Sequence, residues 1–467
     1  MSQRRPKVIT ALFPGALASL ALVLLTLWIW QGNQSPISKR VPGTDNAPGG
    51  DLGTNGNAVL AGKLFVSDGK AASIPGSWPQ FRGPGRDGIS PESGLLRSWQ
   101  PGEPRELWGL EVGEGYAGPA VSQGRVYLMD YDREKKQDAL RCLSLADGRE
   151  IWRFAYPVAV KRNHGMSRTV PSVSEKLVIA IGPKCHVVCL DAILGELKWG
   201  LDLVREYGTV VPPWYAGQCP LIEGDKLILA PAGKNALLVA LEAETGKVLW
   251  KTANTLGWKM THSSIMPMDF GGERIYVYCG SGGVAGVSAR TGEILWHTTD
   301  WKISIATVPT PVILDSGRIF LSGGYNAGSL MLQLKKEGEK FAASTVFKLE
   351  PEVFGATQQS PVLFESHLYG VRPDGKFTCL TPEGKALWNS GSGQDFGLGA
   401  FLSADGMIFA INDSGLLRLL SAKPDGYQVL SQAQILKGRE CWGSLALAGK
   451  RLLVRDLTRL VCLEVGR

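Results

Sequence analysis

One offset constrains this chain more than any other feature: a Gly followed four residues later by a Trp, five times over. It occurs as Gly148/Trp152, Gly195/Trp199, Gly246/Trp250, Gly292/Trp296 and Gly384/Trp388. The Gly positions are spaced by 47, 51, 46 and 92 residues, the last being two units of 46. A self-similar period of that length marks a repeat architecture. Gly suits the left-handed position of a tight hairpin turn. The even offset puts each Trp on the same sheet face, where a large ring can fill the wedge between neighbouring sheets.

Each turn follows an apolar strand, such as Leu140–Leu143, Val187–Leu190, Leu238–Leu241 or Phe377–Leu380, and two further strands lie upstream. Four antiparallel strands per unit of 40–50 residues make a propeller blade. The count is eight. Five blades carry the full motif; two lie near 307–349 and 397–435, where Gly338 and Gly426 have no Trp after them. The eighth begins near Cys441 and ends at Leu463 after three strands. The spare strand Glu106–Leu110, with Trp108, is expected to complete it and close the ring, which also hides sheet edges.

The Ala/Thr-x-Gly-x-x-x-Trp units over residues 104–467 resemble the PQQ-repeat propellers. That family holds quinoprotein-like enzymes such as the alcohol dehydrogenases, and BamB-like propellers of the bacterial outer-membrane assembly complex. The resemblance implies an all-β, eight-bladed fold and speaks less to activity. The lead-in Trp78–Pro84 is similar to the opening segment of such propellers and is expected to dock on the ring as a clasp. Composition agrees: 58 Gly and 14 Trp suit short strands and tight turns.

The N-terminus reads differently. Val8–Trp30 is free of charge for 23 residues and follows Arg4, Arg5 and Lys7. A run of that length spans hydrocarbon as a helix, and the basic residues place its start in the cytoplasm. A cleaved signal peptide is the rival reading. The expected organisation is a membrane anchor or signal anchor over 1–31, a flexible linker over 32–77 and a propeller over 78–467. The expected location is a bacterial inner membrane, single-pass, with the propeller in the periplasm. Of the net charge of +7, +4 falls within residues 1–77. The near-neutral body does not call for nucleic acid.

Chemistry-bearing motifs are sparse. Cys142, Cys189, Cys379 and Cys462 share one strand position and read as small buried residues. No adjacent Cys pair, Cys-x-x-Cys-His or zinc-like His spacing occurs. Gly113–Gly118 matches a dinucleotide fingerprint but joins two strands and opens no helix. The resemblance implies, for the dehydrogenases, an adjacent Cys pair, a calcium set and a catalytic Asp, none of which can be placed here. No cofactor and no metal are therefore expected, and no catalytic residue is assigned.

The loops between blades are aromatic and basic, and on a closed ring they converge on one face. Candidate ligand or partner residues are Arg168, Trp214, Tyr215, Trp258, Lys259, His262, Trp301, Lys302, Arg439 and Trp442. Rings beside fixed cations suit a planar anion or a peptide. The competing account makes Trp258 and Trp301 plugs between blades. The function expected is an exported, non-catalytic binding or scaffold module for a protein or envelope component. The alternative is a quinoprotein-like oxidoreductase with a divergent PQQ site.

Overall fold

The computed structural model describes residues 18–27 and 56–467. In the latter, eight antiparallel sheets follow one another in the chain and close into a ring. Blade 1 comprises Ala120–Ser122, Arg125–Asp132, Gln137–Ser144 and Glu150–Pro157. The inner strands of blades 2 to 8 are Ser172–Val173, Leu221–Glu223, Met266–Phe270, Val312–Ile313, Val362–Phe364, Phe401–Ala404 and Ala446–Ala448. Blade 8 takes its outer strand from Arg105–Glu111, which pairs antiparallel with Arg459–Glu464, so the spare strand does close the ring.

The motif residues form the outer seams. The Trp of each motif blade lies opposite a small residue of the third strand: Cys142, Cys189, Ala240, Gly286 and Cys379 face Trp152, Trp199, Trp250, Trp296 and Trp388, and Cys462 faces Trp108. Opposite a bulky ring, a small residue leaves room for the fit. Trp108, Trp152, Trp199, Trp250 and Trp388 each donate their indole N–H to a carbonyl of the following blade, at 3.0–3.1 Å. At the seams that begin at Trp108, Trp152, Trp199 and Trp250 the motif Gly of that blade lies on the ring, whereas Gly426 of blade 7 meets nothing. A Cβ on Gly148 would fall 2.6 Å from Trp108, and one on Gly195 2.6 Å from Trp152. These glycines therefore serve twice, at positive φ in the turn and as the flat surface that accepts the neighbour's ring. All eight cysteines are buried and unbridged.

Blade 5 breaks the pattern by lengthening its hairpin to Gly328–Glu337 and Lys340–Leu349. Phe347 takes the Trp place, opposite Met331 and 2.8 Å from where a Cβ on Gly384 would lie. Trp296, which meets blade 5, leaves its Nε1 buried without a partner.

A second set of links runs along the axis from blade 2 to blade 6. Val170 N–H donates to Cys219 Sγ, Cys219 N–H to Ser264 Oγ, Ser264 N–H to Thr310 Oγ1, and Thr310 N–H to Ser360 Oγ, at 2.7–3.2 Å. Each acceptor stands just ahead of an inner strand and ties one blade to the one before.

Residues 56–77, expected as linker, lie against the rim instead. Lys63–Val66 adds a fifth strand to blade 1, and Val59 is fully buried against it. The apolar side chains of Val59 and Leu64 fill the outer wedge where Gly200 and Gly195 leave space. The segment from Trp78 then enters the axis as the expected clasp. Trp78 exchanges both backbone hydrogen bonds with Val121, and Ile89–Ser90 pairs in parallel with Phe401–Ala404. Arg82 spends its guanidinium on the carbonyls of Arg86, Ser360, Asp87 and Pro361, while Arg86 reaches Pro220. Burial pulls both guanidinium pKa values down to about 10.

The proposed anchor Val8–Trp30 lies mostly outside the described residues. Its described part, 18–27, is helical with exposed apolar side chains. Among the described residues no helix is long and apolar enough to cross a membrane.

Candidate functional site

Neighbouring strands are antiparallel, so the Gly turns open on one face of the ring. The outer-to-inner connections and the second-to-third hairpins open on the other. On that second face the axis widens into a cavity of about 300 Å³, the lower end of the size of small-ligand pockets. Its floor is the clasp: Trp78, Phe81, Arg82 and Gly88.

Four of the ten expected residues line this mouth: Arg168, Trp214, His262 and Trp442. They come from four different connections, between blades 1 and 2, 2 and 3, 3 and 4, and 7 and 8. Tyr215 stands behind Trp214, buried, with its hydroxyl donating to the Lys161 carbonyl at 2.6 Å. Trp258 and Trp301 do not line the mouth. Trp258 is buried against the hairpin Gly280–Gly283 of blade 4, and Trp301 packs with Ile303 against Gly323 of blade 5. Glycine hairpins leave ring-sized gaps there, and burying an indole in such a gap is worth more than exposing it. Both rings are packed as plugs, away from the mouth. Lys259, Lys302 and Arg439 are exposed and outside the cavity.

The mouth also takes in residues beyond those ten: His164, Gln358 and Gln359, which belong to the same blade-to-blade loops, and Tyr116 and Tyr325, which sequence reading did not place there. Tyr116 sits inside the stretch that mimics a dinucleotide fingerprint, which does join two strands. Tyr325 comes from the hairpin between the second and third strands of blade 5. A sequence signal for the mouth does exist. Gly118-Pro119, Val170-Pro171, Cys219-Pro220, Thr310-Pro311 and Ser360-Pro361 each mark the start of an inner strand, where a missing N–H is tolerated.

The groups are tightly organised. Tyr116 stacks on Trp442 with centroids 5.1 Å apart and 27° between planes, and donates its hydroxyl to Glu440 Oε2 at 2.5 Å. The Arg168 guanidinium lies 4.9 Å from the centre of the Tyr116 ring. Its Nε donates to the Trp214 carbonyl at 2.5 Å, and its Nη2 is buried with no partner. Trp442 Nε1 donates to Asp413 Oδ1 at 2.7 Å, and Gln359 Nε2 to the Trp442 carbonyl at 3.0 Å. Burial lowers the Arg168 pKa to about 10, and burial with Arg168 nearby lowers His262 to about 4. Burial and the Glu440 hydrogen bond raise that of Tyr116.

The backbone carries strain at the same place. His164, Trp214, Tyr215, Tyr325 and Glu440 all have positive φ, between 55° and 72°. Each such residue costs on the order of 1–3 kcal/mol and persists where surroundings over-determine it, commonly at functional sites. Among the described residues no three of His, Cys, Asp and Glu gather as metal donors.

A family model described as outer membrane protein assembly factor BamB matches residues 92–199 and 135–382. The solved structure of BamB from Moraxella catarrhalis is similar to 77% of this chain and 99% of its own, at 14% identity and a TM-score of 0.53. The computationally designed Ika8 protein matches over 77% and 99%, at 10% identity and a TM-score of 0.52. A quinohemoprotein alcohol dehydrogenase from Pseudomonas putida HK5 matches over 84% and 81%, at 12% identity and a TM-score of 0.47. At these identities the likeness is one of fold. No protein of curated function matches the sequence.

Proposed function

The chain belongs to the PQQ-repeat propeller family of the assembly factor BamB, and from that premise we propose that it is a non-catalytic binding module whose axial mouth engages a protein or envelope component. The observation that carries this reading is a one-sided concave site: rings and one guanidinium converge from separate blade connections, while the clasp seals the other end of the axis. Aromatic and Arg side chains in a pocket are the groups that dominate recognition energetics. The charge-free run Val8–Trp30 supports an anchored, exported chain with the propeller in the periplasm of a bacterium.

The family's dehydrogenases would bring a quinone and its calcium. The residues present do not fit that pair. No acidic donor set gathers among the described residues, and the eight cysteines are isolated and buried.

The test is site-specific photocrosslinking in the native envelope. A photoreactive residue at Tyr325, 40% exposed at the mouth, is expected to give a discrete adduct that disappears with Trp442→Ala. The same probe at Val346, 56% exposed on the outer strand of blade 5, should give none. Adducts from the rim alone would overturn the assignment of the mouth.

A further inference from the structure

We propose that the mouth is a monocarboxylate site: one carboxylate on a flat or apolar body pairs with Arg168 while the body rests against Tyr116 and Trp442. The inference rests on the binding-module reading and names the chemistry that such a module would hold.

The argument starts from an unmet hydrogen-bonding demand. Arg168 has committed Nε to the Trp214 carbonyl, and its plane lies over Tyr116, yet Nη2 is buried and has no acceptor. A buried donor without a partner carries the full desolvation penalty, so native structures seldom leave one without reason. The acceptor that suits a guanidinium best is a carboxylate, through charge-assisted and planar hydrogen bonds.

The surroundings limit the charge to one. The cavity is lined by two guanidiniums, Arg82 and Arg168, and by no carboxylate. Arg82 is consumed by four backbone carbonyls, which leaves Arg168 as the donor with capacity. Glu440 stands behind Tyr116 as its hydrogen-bond acceptor and would repel a second negative charge. His262, held down to about 4, is neutral at ordinary pH and adds no further attraction. The stacked Tyr116–Trp442 pair and Trp214 supply apolar area for the body of the ligand.

Two sources share this chemistry: a free small acid, and the C-terminal residue of a polypeptide. Calorimetric titration of the full chain separates them. The probes are N-acetyltryptophan and its amide, and a tripeptide ending in Trp as free acid and as amide. At pH 7 at least one acid should bind at least 10-fold more tightly than its matched amide. Tight binding by the peptide acid alone assigns a chain terminus; tight binding by N-acetyltryptophan assigns a free acid. The preference should hold between pH 5 and 8. Arg168→Gln should erase it, and Trp442→Ala should weaken acid and amide alike. The comparison of acid with amide on the unaltered protein stands even if Arg168→Gln does not fold. Equal affinity for acid and amide, or no binding by either at millimolar concentration, overturns the carboxylate assignment. If the Tyr325 adduct persists in that case, the binding-module reading survives; if the adduct is missing too, both fall.

Discussion

The rim and the mouth of this propeller are both built on Trp, yet they treat the ring in opposite ways. At the rim, Trp108, Trp152, Trp199, Trp250 and Trp388 have their indole N–H satisfied by the next blade, and the four seams that begin at Trp108, Trp152, Trp199 and Trp250 also seat the ring on that blade's motif glycine. At the mouth, Trp214 sits in a left-handed backbone and, like Trp442, borders open space, beside a guanidinium with an unmet hydrogen bond. The rim spends its aromatic surface on cohesion. The mouth keeps aromatic and cationic surface available, at a cost in backbone strain. Trp258 and Trp301 show that position in a loop does not decide the matter. They belong to the rim's economy because glycines of the neighbouring hairpins give their rings a place to be buried.

The largest expected effect breaks the rim. Trp108 is 8% exposed and links the N-terminal strand to blades 8 and 1. Trp108→Ala should cost about 3–5 kcal/mol in chemical denaturation, as for other buried indoles. Deletion of 104–111 should cost more, because it uncovers the edge of Arg459–Glu464 and invites aggregation. A deletion variant that melts like the parent and stays monomeric would remove the distinction between the closing strand and an ordinary surface segment.

A smaller effect sharpens the contrast. Trp258→Ala should destabilise by about 3 kcal/mol and leave the Tyr325 adduct intact, because a buried plug is lost. Trp442→Ala, half-buried, should cost about 1 kcal/mol and abolish the adduct. Paired melting and crosslinking measurements check both. The reverse pattern would exchange the roles assigned to the two residues.

The last contrast is a pH dependence at the mouth. The unfolded chain protonates His262 near 6.5, whereas the folded chain resists until about 4. In that window the unfolded state binds more protons, so stability falls as pH drops, by at most about 3 kcal/mol. Denaturation midpoints from pH 7 to 4 should therefore flatten in His262→Gln relative to the parent. Parallel curves would mean that the imidazole is solvated rather than enclosed.

Much of the rim was legible in the sequence, down to the closing strand. Gly148 and Trp152 recur at one offset because each copy meets the same neighbours. Blade 5 was counted correctly, but its ring was missed: Phe347 follows Gly338 by nine residues rather than four, because the hairpin is longer. The mouth was half legible. Arg168, Trp214, His262 and Trp442 are legible from loop position together with their aromatic or basic character. Tyr116 was passed over inside a glycine-rich stretch, and Tyr325 because it belongs to a different hairpin class.

By itself the sequence determined the blade, its count and the closure of the ring, because these follow from a local pattern repeated at a fixed period. Identical spacing puts identical residues in identical surroundings, and no long-range information is needed to read it. The tertiary structure alone decided which loop residues meet at the axis, which are buried as plugs, and that the clasp forms the floor. Those outcomes depend on gaps left by glycines in other blades and on connections of unequal length, and such distances exist only once the ring has closed.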